Sequence, residues 1–251
     1  MLPHLNDRPL TIKRHYNGPR SPFEWIKDAP PELPEWIPRA PLPAKSRAGA
    51  LVHYTLVPDE RALLWLVDFG AIDFHVWTSR ADRPERPDYV VFDLDPARAS
   101  FTDVVRVALL LRNALQALDL DSYVKTTGGA GLHVHVPLAR RHTHDEARRF
   151  ASAMAVALRR AAPGLVTTER TPARRRGVFV DTKMNGHGQQ LVCAYSLRPL
   201  PDPAVATPLR WDELDETLDP REFAPAEVLR RVERFGDLFA PVLRGRKRLT
   251  I

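Results

Sequence analysis

An apolar stretch that ends in two aspartates, VVFDLDP at residues 90–96, is the feature of this sequence that points most directly to chemistry. If the stretch is a β-strand, Asp93 and Asp95 lie two positions apart and their carboxylates face the same way. Two carboxylates so close are unfavourable unless a cation or a proton neutralises them, and Mg²⁺ and Mn²⁺ prefer such oxygen ligands. The pattern therefore predicts a metal site at the end of a strand. The alternative is a strand end that simply turns into solvent.

A second apolar stretch, VFVD at residues 178–181, also ends in an aspartate. Asp181 would add a third carboxylate to Asp93 and Asp95, which a site for two metal ions needs to hold the second ion. In nucleotidyl transfer one ion activates the attacking 3′-hydroxyl, and the other binds the triphosphate and stabilises the leaving pyrophosphate. We therefore predict that these three aspartates are catalytic ligands of two Mn²⁺ or Mg²⁺ ions.

A glycine-rich turn, KTTGGAGLH at residues 125–133, is the third candidate. Glycines let the backbone approach a phosphate closely, and consecutive N–H groups can line an anion-binding nest, so Gly128 and Gly129 are predicted to contact a nucleotide. Thr127 and His133 can donate hydrogen bonds to triphosphate oxygens. The segment is not a Walker loop, because no Gly-Lys-Ser or Gly-Lys-Thr follows. An ordinary hairpin loop is the alternative interpretation.

Basic and aromatic residues flank these segments. Arginines beside a carboxylate–metal centre suit a triphosphate or a template phosphate, although a solvated basic turn also explains a run such as Arg174–Arg176. We predict contacts with nucleic acid at Trp25, which can stack on a base, and at Lys27, Arg175 and Arg176. Pinning an extended segment to the core is the alternative role for Trp25.

Periodicity and turn residues predict the elements that must position these side chains. Apolar or alternating runs predict strands at residues 51–56, 71–78, 89–94, 122–127, 132–138, 178–181 and 191–196. Apolar residues at helical spacing predict helices at residues 60–69, 102–118, 143–161 and 225–235, with caps at Ser100 and Thr143. We therefore expect an α/β (α+β) chain with two small sheets flanked by helices.

Length and composition favour one domain with a polyanionic partner. The chain has 251 residues and is 44% hydrophobic, which is enough for a proper core. Its 37 Lys and Arg against 31 Asp and Glu give a net charge of +6 and a pI near 9.8, and this excess suits a phosphate-rich partner. We predict a single domain, residues 1–251, in which a proline-rich strap (1–48) lies over a catalytic core (49–251).

Several classes of protein are excluded. Cys193 is the only cysteine, so a disulfide framework and a cysteine zinc site are ruled out, and a buried structural thiol is expected. The opening residues contain no apolar signal-peptide core, and no run approaches the length of a membrane helix, so a cytoplasmic location is expected. Surface positions are predicted for three histidines without ligand spacing, His142, His144 and His187.

Taken together, these segments resemble the polymerase domain of bacterial ligase D, the archaeo-eukaryotic primase type of nucleotidyltransferase used in non-homologous end joining. The matching stretches, in the family's order across nearly the whole chain, are LTIKRH (10–15), DFHVWTSR (73–80), VVFDLDP (90–96), KTTGGAGLHVHVPL (125–138), VFVDTKMN (178–185), AYSLRPL (194–200) and VATPLRWDEL (205–214). The resemblance implies a two-lobed primase-polymerase fold with the active site between its lobes. It also implies addition of ribo- or deoxynucleotides to nucleic-acid 3′ ends with Mn²⁺ or Mg²⁺.

The resemblance assigns roles to individual residues. The family's metal-binding aspartates correspond to Asp93, Asp95 and Asp181. Its triphosphate-binding residues correspond to His133 and to Thr127, which is usually a serine. Positions that contact the incoming nucleotide are occupied by Lys13, His75, Arg174 and Arg198. The implied partners are nucleoside triphosphates and template–primer DNA with gapped or broken ends, together with Ku and a separate ligase; the chain would be a monomer at the bacterial or archaeal nucleoid.

Two departures from the family pattern bear on function. Ala130 stands where the family usually carries a lysine near the triphosphate, so weak nucleotide affinity is expected. The chain also begins inside the family's pattern, so the lysines that grip a downstream 5′-phosphate are expected to be absent. No ligase or nuclease module accompanies the domain, which predicts action alone or with separately encoded partners.

Two other functions stay open. A glycosyltransferase also uses an Asp-X-Asp metal site with a nucleotide, but it would not need a further aspartate strand, a basic turn and a pI near 9.8. A catalytically weak or silent DNA-binding subunit would keep the fold without the activity. Retention of all three aspartates argues against that alternative, because an unused cluster of negative charge opposes DNA binding.

Overall fold

The computed structural model describes residues 1–44 and 49–249. The strands are β1 (Leu10–His15), β2 (Phe23–Ile26), β3 (Arg39–Pro43), β4 (Leu51–Thr55), β5 (Ala71–Trp77), β6 (Tyr89–Asp95), β7 (Tyr123–Thr126), β8 (Leu132–Pro137), β9 (Val166–Thr167), β10 (Val178–Asp181), β11 (Gln190–Val192), β12 (Leu197–Arg198), β13 (Ala204–Val205) and β14 (Pro208–Leu209). The α-helices are α1 (Leu2–Leu5), α2 (Glu60–Asp68), α3 (Phe101–Ala117), α4 (His144–Ala161) and α5 (Pro225–Phe235).

The larger sheet has six strands in the order β14-β7-β8-β6-β10-β9 and carries the main hydrophobic core on one face. On that face Val90, Phe92 and Val134 are fully buried against the apolar stripes of α3 and α4. Both helices begin with a capping box, at Ser100 and at Thr143, so the predicted caps are confirmed. The sheet is mixed, because β9 pairs with β10 in parallel and the other pairs are antiparallel.

The smaller sheet has four strands in the order β11-β5-β1-β2 and a core of its own. Ile12 of β1 and Phe74 of β5 pack there with Leu66 of α2. The proline-rich segment does more than lie over this core, because β1 is an interior strand of the sheet and Leu33 and Ile37 are buried in the core. The predicted end of the strap, at residues 45–48, falls outside the described residues.

The two sheets meet through a third apolar cluster, in which Tyr89 and Val91 of β6 pack with Leu191 and Ala194 from β11 and the chain after it. This contact leaves the carboxyl end of β6 open beside the smaller sheet, where a cleft forms. The mixed α/β architecture is therefore confirmed, with two principal sheets flanked by helices and two further two-stranded sheets, β3-β4 and β12-β13. The cleft between the two principal sheets is the place for a site.

Two sequence predictions are wrong in detail. The strand predicted at residues 191–196 ends at Val192, because the chain turns at Tyr195 (φ 66°) and brings the Ser196 hydroxyl to accept a hydrogen bond from the Phe74 N–H. His144 is buried rather than at the surface, with its Nδ1 3.1 Å from the Asn185 carbonyl oxygen. His142 and His187 are half-buried, and Cys193 is buried as expected.

Within residues 1–44 and 49–249, no helix is both long enough and apolar enough to cross a membrane.

Candidate active site

A row of polar side chains crosses the larger sheet at the end of its central strands. Strand register places Asp93 of β6 between Asp181 of β10 and His133 of β8. Lys125 of β7 lies opposite His133 and extends the row. Residues paired across antiparallel strands have side chains on the same face, which here is the face away from α3 and α4. The row therefore joins two predicted metal ligands to the predicted triphosphate-binding histidine, whose Nε2 is 3.5 Å from Asp93 Oδ1.

Burial changes the charge of two members of this row. Lys125 is fully buried and its Nζ donates to the Thr126 carbonyl oxygen at 3.1 Å. This burial lowers the pKa of the Lys125 ammonium to about 7. Burial, and then the charge of Lys125, lower the pKa of His133 although Asp93 acts in the opposite direction. His133 is therefore a neutral imidazole at physiological pH, able to donate one hydrogen bond.

Asp95 lies on the same face, two residues beyond Asp93, and has a cation bound to it. Asp95 is opposite Phe179 on β10, and the Arg175 guanidinium lies 3.8 Å from the centre of the Phe179 ring. From there Arg175 donates to Asp95 Oδ2 at 3.1 Å, while the Ala97 N–H donates to the other carboxylate oxygen at 2.9 Å. The Arg175 guanidinium therefore partly neutralises the Asp95 carboxylate in this structure.

The aspartates fit a hard divalent cation by their chemistry. Asp93, Asp95 and Asp181 offer carboxylate oxygens from two paired strands, and each side chain is partly exposed to solvent. Arg175 already supplies a positive charge to one of them. In the described part of the chain, no three His, Cys, Asp or Glu side chains lie close enough together to hold a metal as they stand.

A cavity of about 310 Å³ opens over Asp93 and Asp95. Besides these two, the predicted site residues that line it are His75, Thr127, His133 and Arg198. Ala130 and Gly131 of the glycine-rich turn line it as well. Its walls come from both sheets, because His75 belongs to β5 of the smaller sheet and His133 to β8 of the larger one. The cavity therefore combines carboxylates with hydrogen-bond donors in one concave site.

Asp73, a residue that the sequence analysis did not assign to the site, connects three residues that it did. Asp73 is fully buried on β5. Its Oδ2 lies 3.1 Å from Lys13 Nζ and 3.1 Å from Arg198 Nε, and its Oδ1 lies 2.9 Å from His75 Nε2. One buried carboxylate therefore fixes the positions of three predicted nucleotide-binding groups.

Charges within this cluster are mutually stabilising. Burial opposes ionisation of Asp73, but the close contact with His75 and the positive charges of Arg198 and Lys13 outweigh it, so the pKa of Asp73 lies below its ordinary value. Burial lowers the pKa of His75, with Asp73 acting in the opposite direction. Asp73 is therefore an anion at neutral pH that compensates the cations held around it.

Hydrogen bonds to the Thr127 side chain hold the glycine-rich turn in its conformation. Thr127 Oγ1 accepts hydrogen bonds from the N–H groups of Gly129 (3.2 Å) and Gly131 (3.3 Å). These N–H groups are used inside the turn and not directed into the cavity, in contrast to the predicted nest. The Thr127 hydroxyl keeps its own proton, so it can donate one hydrogen bond to a ligand in the cavity.

Close packing explains two of the glycines. Gly128 has φ +69°, and a Cβ there would lie 2.5 Å from Arg198 Cγ. A Cβ on Gly131 would lie 2.5 Å from the Leu94 carbonyl oxygen of β6. Gly128 thus makes room for Arg198, which donates to the Thr127 carbonyl oxygen at 3.0 Å as well as pairing with Asp73. Arg198 bridges the turn of the larger sheet to β5 of the smaller one.

Other predicted residues lie further from the cavity. Arg174 and Arg176 are exposed in the turn before β10, and their neighbour Arg175 is the one that reaches Asp95. Trp25 is half exposed on β2, with its ring 5.0 Å from His75 and 4.8 Å from Lys13 Nζ. Lys27 lies exposed at the end of this strand, beside a separate cavity.

The sequence contained a signal that Asp73 belongs to the site, because Asp73 and His75 are two positions apart on one strand and share a face.

Asn185 is a second residue that the sequence analysis missed, and the sequence gives a weaker indication of its role. Its buried side-chain amide donates to the Val91 carbonyl oxygen at 2.7 Å and accepts from the Val91 N–H at 2.8 Å. It thereby fastens the turn after Asp181 to β6, a role that periodicity cannot indicate.

With this geometry in hand, comparison with known proteins defines the class of protein. A family model described as the LigD primase-polymerase domain matches residues 1–239. The chain therefore belongs to the LigD primase-polymerase domain family. This membership confirms the resemblance predicted from the sequence and the mixed α/β fold.

Individual relatives agree. The chain is 33% identical over 246 residues to the multifunctional non-homologous end joining protein LigD of Mycolicibacterium smegmatis, covering 96% of this chain and 32% of that protein. It is 30% identical over 239 residues to the bifunctional LigD of Bacillus subtilis, covering 94% of this chain and 38% of that protein. It thus spans about a third of the length of these relatives. Among solved structures, the polymerase domain of Mycobacterium tuberculosis ligase D in complex with DNA is similar, with a TM-score of 0.90 and 31% identity over 97% of this chain and 87% of that one.

Proposed function

We propose that this chain adds nucleotides to the 3′ end of a broken or gapped DNA strand during non-homologous end joining, using two Mn²⁺ or Mg²⁺ ions. The observation that carries the proposal is a single cavity that is lined by Asp93 and Asp95 together with Thr127, His133 and Arg198. The carboxylates suit metal ions, and the hydrogen-bond donors beside them suit a triphosphate. With DNA as the substrate, its place of action is the cytoplasm at the nucleoid.

Different residues of the site would then bind the metal ions, the triphosphate and the nucleic acid. Asp93, Asp95 and Asp181 would hold the metal ions, which would supply Lewis-acid stabilisation of the charge that develops on the phosphates. His133 and Thr127 each donate one hydrogen bond to triphosphate oxygens. Arg175, which pairs with Asp95 in this structure, would be close enough to contact a nucleic-acid phosphate beside the site.

The smaller sheet supplies the rest of the nucleotide site. Arg198, Lys13 and His75, held by Asp73, contact the nucleotide, and Trp25 next to His75 stacks on a base. Because His75 is positioned by a buried carboxylate, we propose that it reads the sugar and that ribonucleotides are incorporated at least as well as deoxynucleotides. Competition between the two on one gapped template tests this point, and a strong deoxynucleotide preference would contradict it.

Partners follow from the substrate. Template–primer DNA and nucleoside triphosphates are the immediate ones. Ku and a ligase would meet the chain at the same DNA end, and the chain itself would act as a monomer. The structure of the related M. tuberculosis polymerase domain was obtained in complex with DNA, and a similar complex is proposed here.

Primer extension with Mn²⁺ and a labelled nucleotide is the decisive experiment. Wild type should extend a gapped template, whereas Asp93→Ala should not. Asp202→Ala removes an exposed aspartate outside the cavity and should extend normally. Tight DNA binding without extension in either metal would favour the silent DNA-binding subunit. Metal-dependent hydrolysis of a nucleotide sugar without any DNA requirement would favour the glycosyltransferase.

A further inference from the structure

A second cavity, of about 900 Å³, is lined by β10, whereas the cavity over Asp93 and Asp95 (the nucleotide cavity) is lined by β6 and β8, and β6 lies between β8 and β10 in the sheet. Its lining includes Asp181 and Phe179 of β10 and shares no residue with the nucleotide cavity. Because Asp181 is opposite Asp93 in the strand register, the two cavities meet at this carboxylate pair. A ligand in each would approach the same pair from opposite sides.

The walls of this second cavity are basic. Arg148 and Arg149 come from the first turns of α4, Arg170 from the turn before β10, and Lys183 from the turn after it. Among the described residues, Arg149, Arg170 and Lys183 have no carboxylate within 4.0 Å, and Arg148 has one exposed partner, Asp145, at 3.4 Å. Cations left without partners around a cavity favour a polyanionic ligand.

We propose that this basic groove holds the backbone phosphates of the strand that is extended, so that its 3′-hydroxyl reaches Asp181. The inference rests on the proposed function and names the substrate strand of that same site. Nucleotidyl transfer needs the attacking 3′-hydroxyl and the triphosphate on opposite sides of the reacting phosphorus. The nucleotide cavity provides one side, and the groove ends at the other.

The same geometry argues against base reading in the groove. The Phe179 ring, its main aromatic surface, is buried and covered by the Arg175 guanidinium. The uncharged polar groups of the lining, Ser152, Thr168 and Thr182, are small hydroxyls that suit a phosphate as well as a base edge. The groove therefore recognises the backbone and not the sequence of the strand.

A triple variant tests the groove, with a double variant on the same helix as the control. Arg149→Gln, Arg170→Gln and Lys183→Gln together remove three unpaired charges. Arg159→Gln with Arg160→Gln removes charges from the exposed end of the same helix, outside the groove. Fluorescence anisotropy should show at least roughly tenfold weaker primer–template binding by the triple variant, with a salt slope smaller by about 2. The control should lose much less, and the Kd for nucleoside triphosphate should be unchanged in both.

Modified DNA identifies the strand. Methylphosphonate linkages, which lack charge, are placed in the last phosphates of the primer or at the matching template positions. Primer modification should weaken binding by wild type but have little further effect on the triple variant. If the variant instead becomes insensitive to template modification, or if its triphosphate Kd rises while DNA binding is unchanged, the proposal is overturned. These binding measurements need no catalysis, so failure of wild type to extend any primer contradicts the proposed function and leaves the groove to be decided on its own.

Discussion

The two cavities on either side of the aspartates are built in opposite ways. Around the nucleotide cavity the hydrogen-bond donors are held by protein, since Asp73 contacts Lys13, Arg198 and His75. In the groove beyond Asp181, cations such as Arg149 and Lys183 have no such partner in the described part of the chain. One region is ordered before its ligand arrives, and the other is left free to respond to it.

This difference matches the two substrates of a nucleotidyl transfer. A small ligand benefits from donors that are already in position, because less conformational freedom is lost on binding. A nucleic-acid strand slides and changes sequence at every addition, so mobile cations that bind phosphates through counterion release are sufficient. The comparison predicts that variants of the two regions separate into nucleotide effects and DNA effects.

The largest expected effect is at the boundary between the regions. Asp93→Ala and Asp181→Ala should each abolish extension, while affinity for DNA stays the same or increases slightly, because each carboxylate holds a metal but repels phosphate. Extension rates and anisotropy on the same DNA measure both quantities. Extension by Asp93→Ala at a tenth of the wild-type rate or better would rule out its role as a metal ligand.

Asp73→Asn should damage the nucleotide side alone. Removing the buried charge leaves the cations around it uncompensated, which costs about 3 kcal/mol of folding stability, and it frees Lys13 and Arg198 to move. We expect the KM for nucleotide to rise roughly tenfold or more while the Kd for DNA is unchanged. Measurements are made below the unfolding temperature of the variant.

A matched control separates this effect from general loss of stability. Asp88 is a buried carboxylate that pairs with Arg8 at 2.7 Å and Arg80 at 3.1 Å, outside the nucleotide cavity. Asp88→Asn should therefore lower stability comparably and leave the KM for nucleotide near wild type. Equal KM effects in the two variants would mean that Asp73 acts only through stability.

Local pattern was enough to predict some parts of this site and not others. Asp93 and Asp181 follow apolar strands, and strand endings are local properties that the sequence displays. Choosing between Arg174 and Arg175 requires the path of a turn, and a shift of one residue redirects the side chain from solvent to Asp95. The importance of Asp73 arises only when β1, β5 and the chain after β11 come together, so no local pattern announces its three partners.

A substitution at Lys125 tests whether the buried ammonium beside the nucleotide cavity lowers the stability of the folded protein. Its pKa of about 7 in the folded protein lies below the ordinary 10.5, so between these values the unfolded chain binds more protons. Wild type should therefore gain stability relative to Lys125→Met as the pH rises from about 7 towards 10.5. Below about pH 7 the lysine is protonated in both the folded and the unfolded chain, so the difference between the two proteins should level off at its least favourable value. Urea unfolding of both proteins across this window measures the difference.

Lys247 provides the opposite case. Its hydrogen bond to Asp119 raises the pKa of this exposed lysine. Wild type should therefore show no comparable gain over Lys247→Met at high pH. A difference between wild type and Lys125→Met that does not change with pH would mean that the buried ammonium is compensated in a way that these contacts do not reveal.

The smallest effect is expected from a substitution at Ala130, an exposed residue that lines the nucleotide cavity. A lysine there would place an ammonium near the charge that develops on the pyrophosphate, where alanine places nothing. Ala130→Lys should therefore lower the KM for nucleotide several-fold, since a surface-accessible charged contact contributes about 1 kcal/mol. In an Asp95→Ala background, where the metal that gathers the triphosphate is compromised, direct nucleotide binding should gain less from the lysine. A KM that is unchanged or higher would mean that the turn at residues 127–133 does not face the triphosphate, and the division into a nucleotide side and a DNA side would have to be redrawn.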